Sequence, residues 1–340
     1  MMRKLMLFCL IAGLTVSLIG TAASEEKTMK AAFVYISAVG DHGWSYAHDL
    51  ARKYMEDSLG VETAYTENVF GPDIERVIRG YAQKGYDIIF TTSFEYMDPT
   101  IEVAADFPNI VFEHCSGFKT AENAGNYFGR IYQARYLSGL VAGKMTKSNI
   151  IGYVAAHPIP EVIRGINSFT KGVRETNPEA VVKVVWTGSW YDPAKEKEAA
   201  LSLISADADV IAQHQDSPAA QEAAQDNNIY SIGYNTDMSH FAPDAHLTAP
   251  IWNWKTYYER IVDEVKSGTW TAESYWGGLG DGLVDISDFG PMVPQDVIDM
   301  VMDRRQEIID GTFSVWPDTS DEELLSMNYF IEGVEGKIPE

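Results

Sequence analysis

The sequence predicts an α/β protein of two doubly wound parallel-sheet lobes joined by a multi-crossover hinge, and three observations carry that prediction. Short apolar runs rich in β-branched and aromatic residues alternate with helical stretches, the rhythm of buried parallel strands and their return helices. The alternation restarts near residue 148, which makes two successive blocks. After residue 246 no third block follows, and the remaining strands and helices imply that the chain crosses back between the lobes. The expected lobes are residues 24–148 with 247–272, and residues 149–246 with 273–340.

The first block opens on Ala31–Ser37, an apolar run suited to a strand buried on both faces. Ala47, Leu50, Ala51, Tyr54 and Met55 follow with the spacing of a helix that buries one face. Between strand and helix lies Gly40-Asp41-His42-Gly43-Trp44, just past the carboxyl end of the strand, where open α/β sheets hold ligands. Trp44 is there either as a lid on the sheet or as a ligand platform. Val61–Asn68, Tyr86–Thr92, Asn109–His114 and Ala124–Phe128 are the next strands. Asp73–Lys84 and Ile131–Lys144 are helices, and Asp98-Pro99 opens another with an N-cap and a proline at the first helical position.

The second block repeats the scheme. Ile150–Ala155, Val181–Thr187, Asp209–Gln213 and Ile229–Tyr234 are strands, and Glu161–Glu175 and Pro218–Asp226 are helices. Asp192-Pro193 opens a further helix that runs to about Ser205. Leu247 onward is expected to return to the first lobe, with a helix through Lys266, and a helix over Pro294–Asp310 closes the fold.

Residues 1–23 begin with Arg3 and Lys4, continue through an apolar run and end in Thr21, Ala22 and Ala23, the layout of a secretory signal cleaved near Ala23. The expectation is an exported, periplasmic protein. Cys9 lies inside the apolar run and does not have the setting of a lipid-attachment cysteine. The formal charge is −23, and the signal carries both its cations and no acid, so cleavage takes it to −25. So acidic a surface argues against nucleic acid and anionic membrane as partners. Cys115 alone remains after cleavage, so no intramolecular disulfide can form, and its setting is that of a small buried hydrophobe.

Motifs of catalysis are missing. Gly278-Leu279-Gly280-Asp281-Gly282 has the glycine density of a nucleotide loop, but Leu283–Ser287 alternates like a strand, so no helix N-terminus is there to cradle phosphate. No G-x-x-x-x-G-K or G-x-S-x-G occurs, and the seven histidines show no metal-ligand spacing. The sequence therefore predicts no catalytic residues, no metal and no cofactor. Aromatic and acidic residues gather instead at strand ends: Asp41 and Trp44, Phe94 and Glu95, Trp190 and Tyr191, Asp216, Tyr234 and Asn235, with Trp252 on the crossover. Taken singly, Asp192, Asp216 and Ser217 can be helix caps, and Phe94 and Tyr234 can be core. Taken together, strand ends of two such lobes face one another across a cleft.

The chain resembles the basic membrane protein, or PnrA-like, substrate-binding proteins of ABC transporters. The resemblance runs through AAFVYISAVGDHGWSYAHD, YDIIFTTSFEYMDP and the W-x-D-P-x-K stretch at Trp190–Lys195, and it covers most of the chain after the signal. It implies the type I periplasmic-binding-protein fold, a small-molecule ligand held between two lobes, and an ABC permease of the inner membrane as partner. By position, Asp41 and Trp44 fall on the family loop that touches a base, Phe94 on the aromatic that stacks on it, and Asp216 on a cleft loop. Tyr234-Asn235 stands where nucleoside binders have V-D, and Trp252 stands at the place of a lysine. Both replaced residues grip the ribose in nucleoside-binding relatives.

The expected ligand is therefore a free purine nucleobase, adenine-like, held by Asp41, Trp44, Phe94, Trp190, Asp216, Tyr234, Asn235 and Trp252. Trp252 is expected to fill the sugar's volume, unless it turns into the first lobe's core and another lysine such as Lys255 reaches the cleft. A nucleoside receptor of the same family is the alternative. A nucleoside-processing enzyme or a ligand sensor on the same fold are the others, the first because Asp41, Glu95 and Asp216 supply carboxylates.

Overall fold

The computed structural model describes residues 28–339. The expected signal segment lies outside them. The first block holds β1 (Lys30–Val34), α1 (Trp44–Leu59), β2 (Glu62–Thr66), α2 (Asp73–Gln83), β3 (Ile88–Thr91), α3 (Met97–Asp106), β4 (Val111–Cys115) and β5 (Ala124–Gly129). The second holds α4 (Tyr132–Met145), β6 (Ile150–Ala155), α5 (Pro160–Thr176), β7 (Val181–Trp186), α6 (Pro193–Ser205), β8 (Val210–His214), α7 (Ala219–Asp226), β9 (Tyr230–Ile232) and β10 (His246–Thr248). The chain ends through β11 (Pro250–Trp252), α8 (Trp254–Ser267), β12 (Ser274–Gly277), β13 (Val284–Ile286), α9 (Gln295–Ile309), α10 (Asp321–Leu325) and β14 (Val334–Glu335).

The described residues form two six-stranded parallel sheets, ordered β12-β5-β4-β3-β1-β2 and β10-β9-β8-β6-β7-β14. Both faces of each sheet are covered, as parallel strands require. Along β1, Ala31 and Phe33 pack with α1 and α8, while Ala32 and Val34 pack with α2 and α3. In the second sheet Tyr153 faces the α4 and α5 side, and Val154 faces α6 and α7.

Helix packing and strand pairing place the three crossings away from the expected lobe boundaries. Helix α4 travels with the second lobe: a Cβ on Gly139 would meet the Phe169 carbonyl oxygen at 2.1 Å, and one on Gly172 the Tyr136 carbonyl oxygen at 2.1 Å. Two helices can cross that closely only where glycines remove the side chain, so the first crossing comes at Gly129–Arg130, well before residue 148. Strand β10 belongs to the second sheet, so the return begins after Thr248 and not at Leu247. Strand β12 pairs with β5, so the last crossing comes after Gly277 and not at 272. The antiparallel β11–β13 pair carries two of these crossings side by side. The glycine-rich stretch at 278–282 is a turn that makes the last one, with Gly278 N–H donating to Asp281.

Two smaller expectations change. Leu50 is exposed, and the buried face of α1 runs through Ala47, His48, Ala51, Arg52 and Met55 instead. Asp98 is not an N-cap: a 3₁₀ turn at Phe94–Tyr96 leads into α3, and the Asp98 carboxylate pairs with Lys119 at 2.6 Å. Asp192 does cap α6, accepting from the Lys195 N–H at 3.2 Å. Cys115 is fully buried at the end of β4.

Candidate functional site

The loop between β1 and α1 is organised by Asp41. Its carboxylate accepts from Ser37 Oγ at 2.6 Å and from the backbone N–H groups of Gly43, Ser45 and Tyr46 at 2.9–3.0 Å. Three donors at the start of α1, which have no partner within the helix, are thereby satisfied. Asp41 was expected to read the ligand, but it is 1% exposed and all its bonds go to its own loop, so it acts as scaffold. Burial pushes its carboxyl up, while these hydrogen bonds oppose the shift.

That loop meets the second lobe. A Cβ on Gly43 would lie 2.3 Å from the Asp216 carbonyl oxygen, so only glycine permits the contact. Thr236 Oγ1 donates to the His42 carbonyl oxygen at 2.5 Å across the same seam. The lobes are therefore in contact here, and behind the seam the cleft narrows to a partly open pocket of about 260 Å³. From the first lobe Ile36, Trp44, Ser93, Phe94, Glu95 and Ser116 line it. From the second come His157, Glu161, Trp190, His214, Asp216 and Tyr234.

Five of the eight expected residues thus meet at one cavity: Trp44, Phe94, Trp190, Asp216 and Tyr234. Trp44 is anchored by its indole N–H, which donates to the Thr92 carbonyl oxygen at 2.6 Å, and its ring edge packs against Trp252 and Trp254. Phe94 is 45% exposed in the cleft, so it is not core. Trp190 lies against His157, with ring centroids 4.8 Å apart. Tyr234 is held from behind by the Arg135 guanidinium, 3.6 Å from its ring centroid.

Asp41, Asn235 and Trp252 do not line the cavity. Asn235 lies at a positive φ of 69° and joins two neighbours: its Nδ2 donates to Asp216 Oδ1 at 2.8 Å, and its Oδ1 accepts from Trp252 Nε1 at 3.0 Å. Trp252 stacks on Trp254 with centroids 4.5 Å apart, and its ring tip would meet any Cβ on Gly129 at 2.4 Å. Trp252 is thus hinge core that braces Trp44 and Asp216 from one layer back. Lys255 lies over the Tyr54 ring instead of reaching the cleft.

The electrostatics are one-sided. Glu95, Glu161 and Asp216 line the cavity, and no lysine or arginine does. Burial pushes the Asp216 carboxyl well up, the charges of Asp41 and Glu196 add to that, and Asn235 opposes it. Burial takes the His214 imidazole down to about 4, so it is neutral near pH 7. The sequence reading missed Glu161, His214, His157 and Ser116. His214 was within reach of the strand-end rule, being the last residue of β8. Glu161 reads locally as an acid complementing a helix N-terminus, and only the cleft gives it a second use.

A cleft between two doubly wound lobes, with three crossings at the hinge and aromatic walls, defines a two-lobed ligand-binding protein. Residues 28–318 match the family model described as "ABC transporter substrate-binding protein PnrA-like", and the chain belongs to that family. The chain is 46% identical over 327 residues to a protein of Haloferax volcanii named "Putative ABC transporter glucose-binding protein TsgA13", covering 94% of this chain and 84% of that one. It is 43% identical over 342 residues to a purine-binding protein of Brucella abortus, covering 95% and 97%. The fold matches that of an ABC transporter solute-binding protein from Aeropyrum pernix with a TM-score of 0.74 at 19% identity, covering 87% and 97%. Members of the family are solute-binding proteins that take small-molecule ligands outside the cytoplasm and deliver them to a permease.

Proposed function

We propose that this is the periplasmic receptor of an ABC importer for a free purine nucleobase, adenine-like, exported by its signal segment. The observation that carries the reading is the small cavity with aromatic walls and carboxylate edges. At about 260 Å³ it falls just below the usual range of ligand pockets, which run from about 300 Å³ upward. Trp44, Phe94, Trp190 and Tyr234 offer ring surface to a flat ligand, and stacking on such rings contributes about 1–3 kcal/mol per base. Carboxyl oxygens accept hydrogen bonds, and a lining with Glu95, Glu161 and Asp216 but no lysine or arginine favours a ligand with N–H donors and no negative charge.

A hexose fits this lining less well. Its many oxygens need several donors as well as acceptors, and the lining offers hydroxyl, indole and imidazole groups but no Lys, Arg, Asn or Gln. Glucose nevertheless belongs in any test, because a relative carries a glucose-binding name. Titration calorimetry of the mature protein with adenine, hypoxanthine, adenosine and glucose decides the matter. Adenine or hypoxanthine is expected to bind most tightly. Tighter binding of adenosine or glucose overturns the nucleobase reading, and release of free base from adenosine overturns the receptor reading.

A further inference from the structure

We propose that Glu161 and His214 form a two-point clamp, acceptor beside donor, that grips a ligand edge carrying an N–H next to a ring nitrogen or carbonyl. The inference rests on the nucleobase reading above and assigns its specificity to residues that no strand-end aromatic supplies.

Glu161 stands in the first turn of α5, on the second lobe. Its Oε2 accepts from Ser116 Oγ at 3.0 Å, and Ser116 follows β4 on the first lobe, so this bond spans the cleft and holds the carboxylate in place when the lobes meet. The other oxygen, Oε1, lies 3.6 Å from His214 Nε2. At that separation any bond between the two is long and weak, so both atoms keep hydrogen-bonding capacity for a ligand beside them. Both residues line the cavity.

The far side of the imidazole sets its tautomer. His214 Nδ1 and Arg135 Nε both face the space beside Gly165, 3.8 and 3.7 Å from where a Cβ on that glycine would sit. Neither has a hydrogen-bond partner among the described residues. The Arg135 guanidinium carries only N–H groups and lies on the Nδ1 side of the ring, so its charge favours a lone pair over a proton on that nitrogen. The proton of the neutral ring then sits on Nε2, beside Glu161. Burial and the positive charges of Arg135 and Arg164 keep the ring neutral, against the pull of Glu161.

The result is an N–H and a carboxylate oxygen on neighbouring positions. Adenine matches that pair with its 6-amino group and N1 or N7, and hypoxanthine with N1–H and O6. An edge of two acceptors, or an anionic group, does not match.

The test uses the mature protein, titration calorimetry, and adenine beside N6,N6-dimethyladenine, which keeps the flat ring but has no N–H at position 6. Glu161→Met and His214→Phe should each weaken adenine binding about tenfold or more, the range for losing a hydrogen bond to a charged or buried partner. Wild-type protein should bind the dimethyl compound about tenfold more weakly than adenine, and Glu161→Met should leave that weaker binding unchanged. Should His214→Phe unfold, Glu161→Met decides alone. Adenine binding that is tight in wild type and unaltered by Glu161→Met overturns the clamp and leaves the nucleobase receptor standing. Failure of every purine to bind the wild type overturns both.

Discussion

The two lobes share one architecture but bring different chemistry to the cleft. The first contributes the rings of Trp44 and Phe94, on a loop and a 3₁₀ turn at the ends of β1 and β3, with Glu95 as its one carboxylate beside the hydroxyls of Ser93 and Ser116. The second contributes Glu161, His214 and Asp216 beside Trp190 and Tyr234, so its part is polar as well as aromatic. Their buried carboxylates differ in the same way. Asp41 of the first lobe spends every acceptor on its own loop, whereas Asp216 of the second gives one oxygen to Asn235 and lines the cavity. On the proposed reading the first lobe mainly supplies a face to stack on and the second reads the edge, so both lobes are needed for a complete site.

The strongest test of that division is a pair of substitutions. Asp41→Ala removes four hydrogen bonds to a charged acceptor and should lower stability by about 3 kcal/mol in urea unfolding. Asp216→Asn should leave the unfolding midpoint much closer to wild type and should act on ligand affinity instead. Equal losses of stability would show that both carboxylates are scaffold.

Next in size is Phe94→Ala. Its ring is half exposed, so stability should not change, while ligand affinity should fall by about 1–3 kcal/mol in calorimetry. An unchanged affinity would remove the stacking face from the first lobe.

Glu113 on β4 is buried and does not line the cavity. Burial pushes its carboxyl up to about 7, and the Tyr257 and Trp270 donors that hold it at 2.7 and 2.8 Å oppose the shift. The folded state therefore favours the protonated form more than the unfolded chain does. The stability this lends is full below the usual carboxylate range and is lost as pH rises through about 7. Unfolding free energies measured from pH 4 to 8 should show that decline, and Glu113→Gln should flatten it.

The smallest effect expected is from Thr236→Val, which removes the hydroxyl bonded to the His42 carbonyl at the seam between lobes. Loss of about 0.5–1.5 kcal/mol should appear as faster ligand release in stopped-flow traces, with the association rate little altered. An unchanged release rate would mean the seam bond has no part in holding the lobes shut.

Much of this was legible without coordinates, for a local reason. A parallel strand buried on both faces must be apolar along its length, and its return helix must show a 3.6-residue period, so Ala31–Ser37 and the runs after it declare themselves. The rule that ligands sit past the carboxyl ends of such strands then picked out Trp44, Phe94, Trp190, Asp216 and Tyr234, all of which line the cavity. What the rule lacks is direction. Asp41 obeys it and turns inward to cap α1, and Trp252 faces the hinge because Gly129, Asn235 and Trp254 leave it a place there.

Composition, local periodicity and strand-end position were thus settled by the sequence itself, since each depends on residues within a few positions of one another. Pairings such as Ser116 with Glu161, Arg135 with Tyr234, and β12 with β5 were decided only by the tertiary structure. They join residues from 45 to about 150 positions apart, and no local pattern encodes which of many distant strand ends, helix starts and glycine gaps will be brought face to face when two sheets close around a hinge.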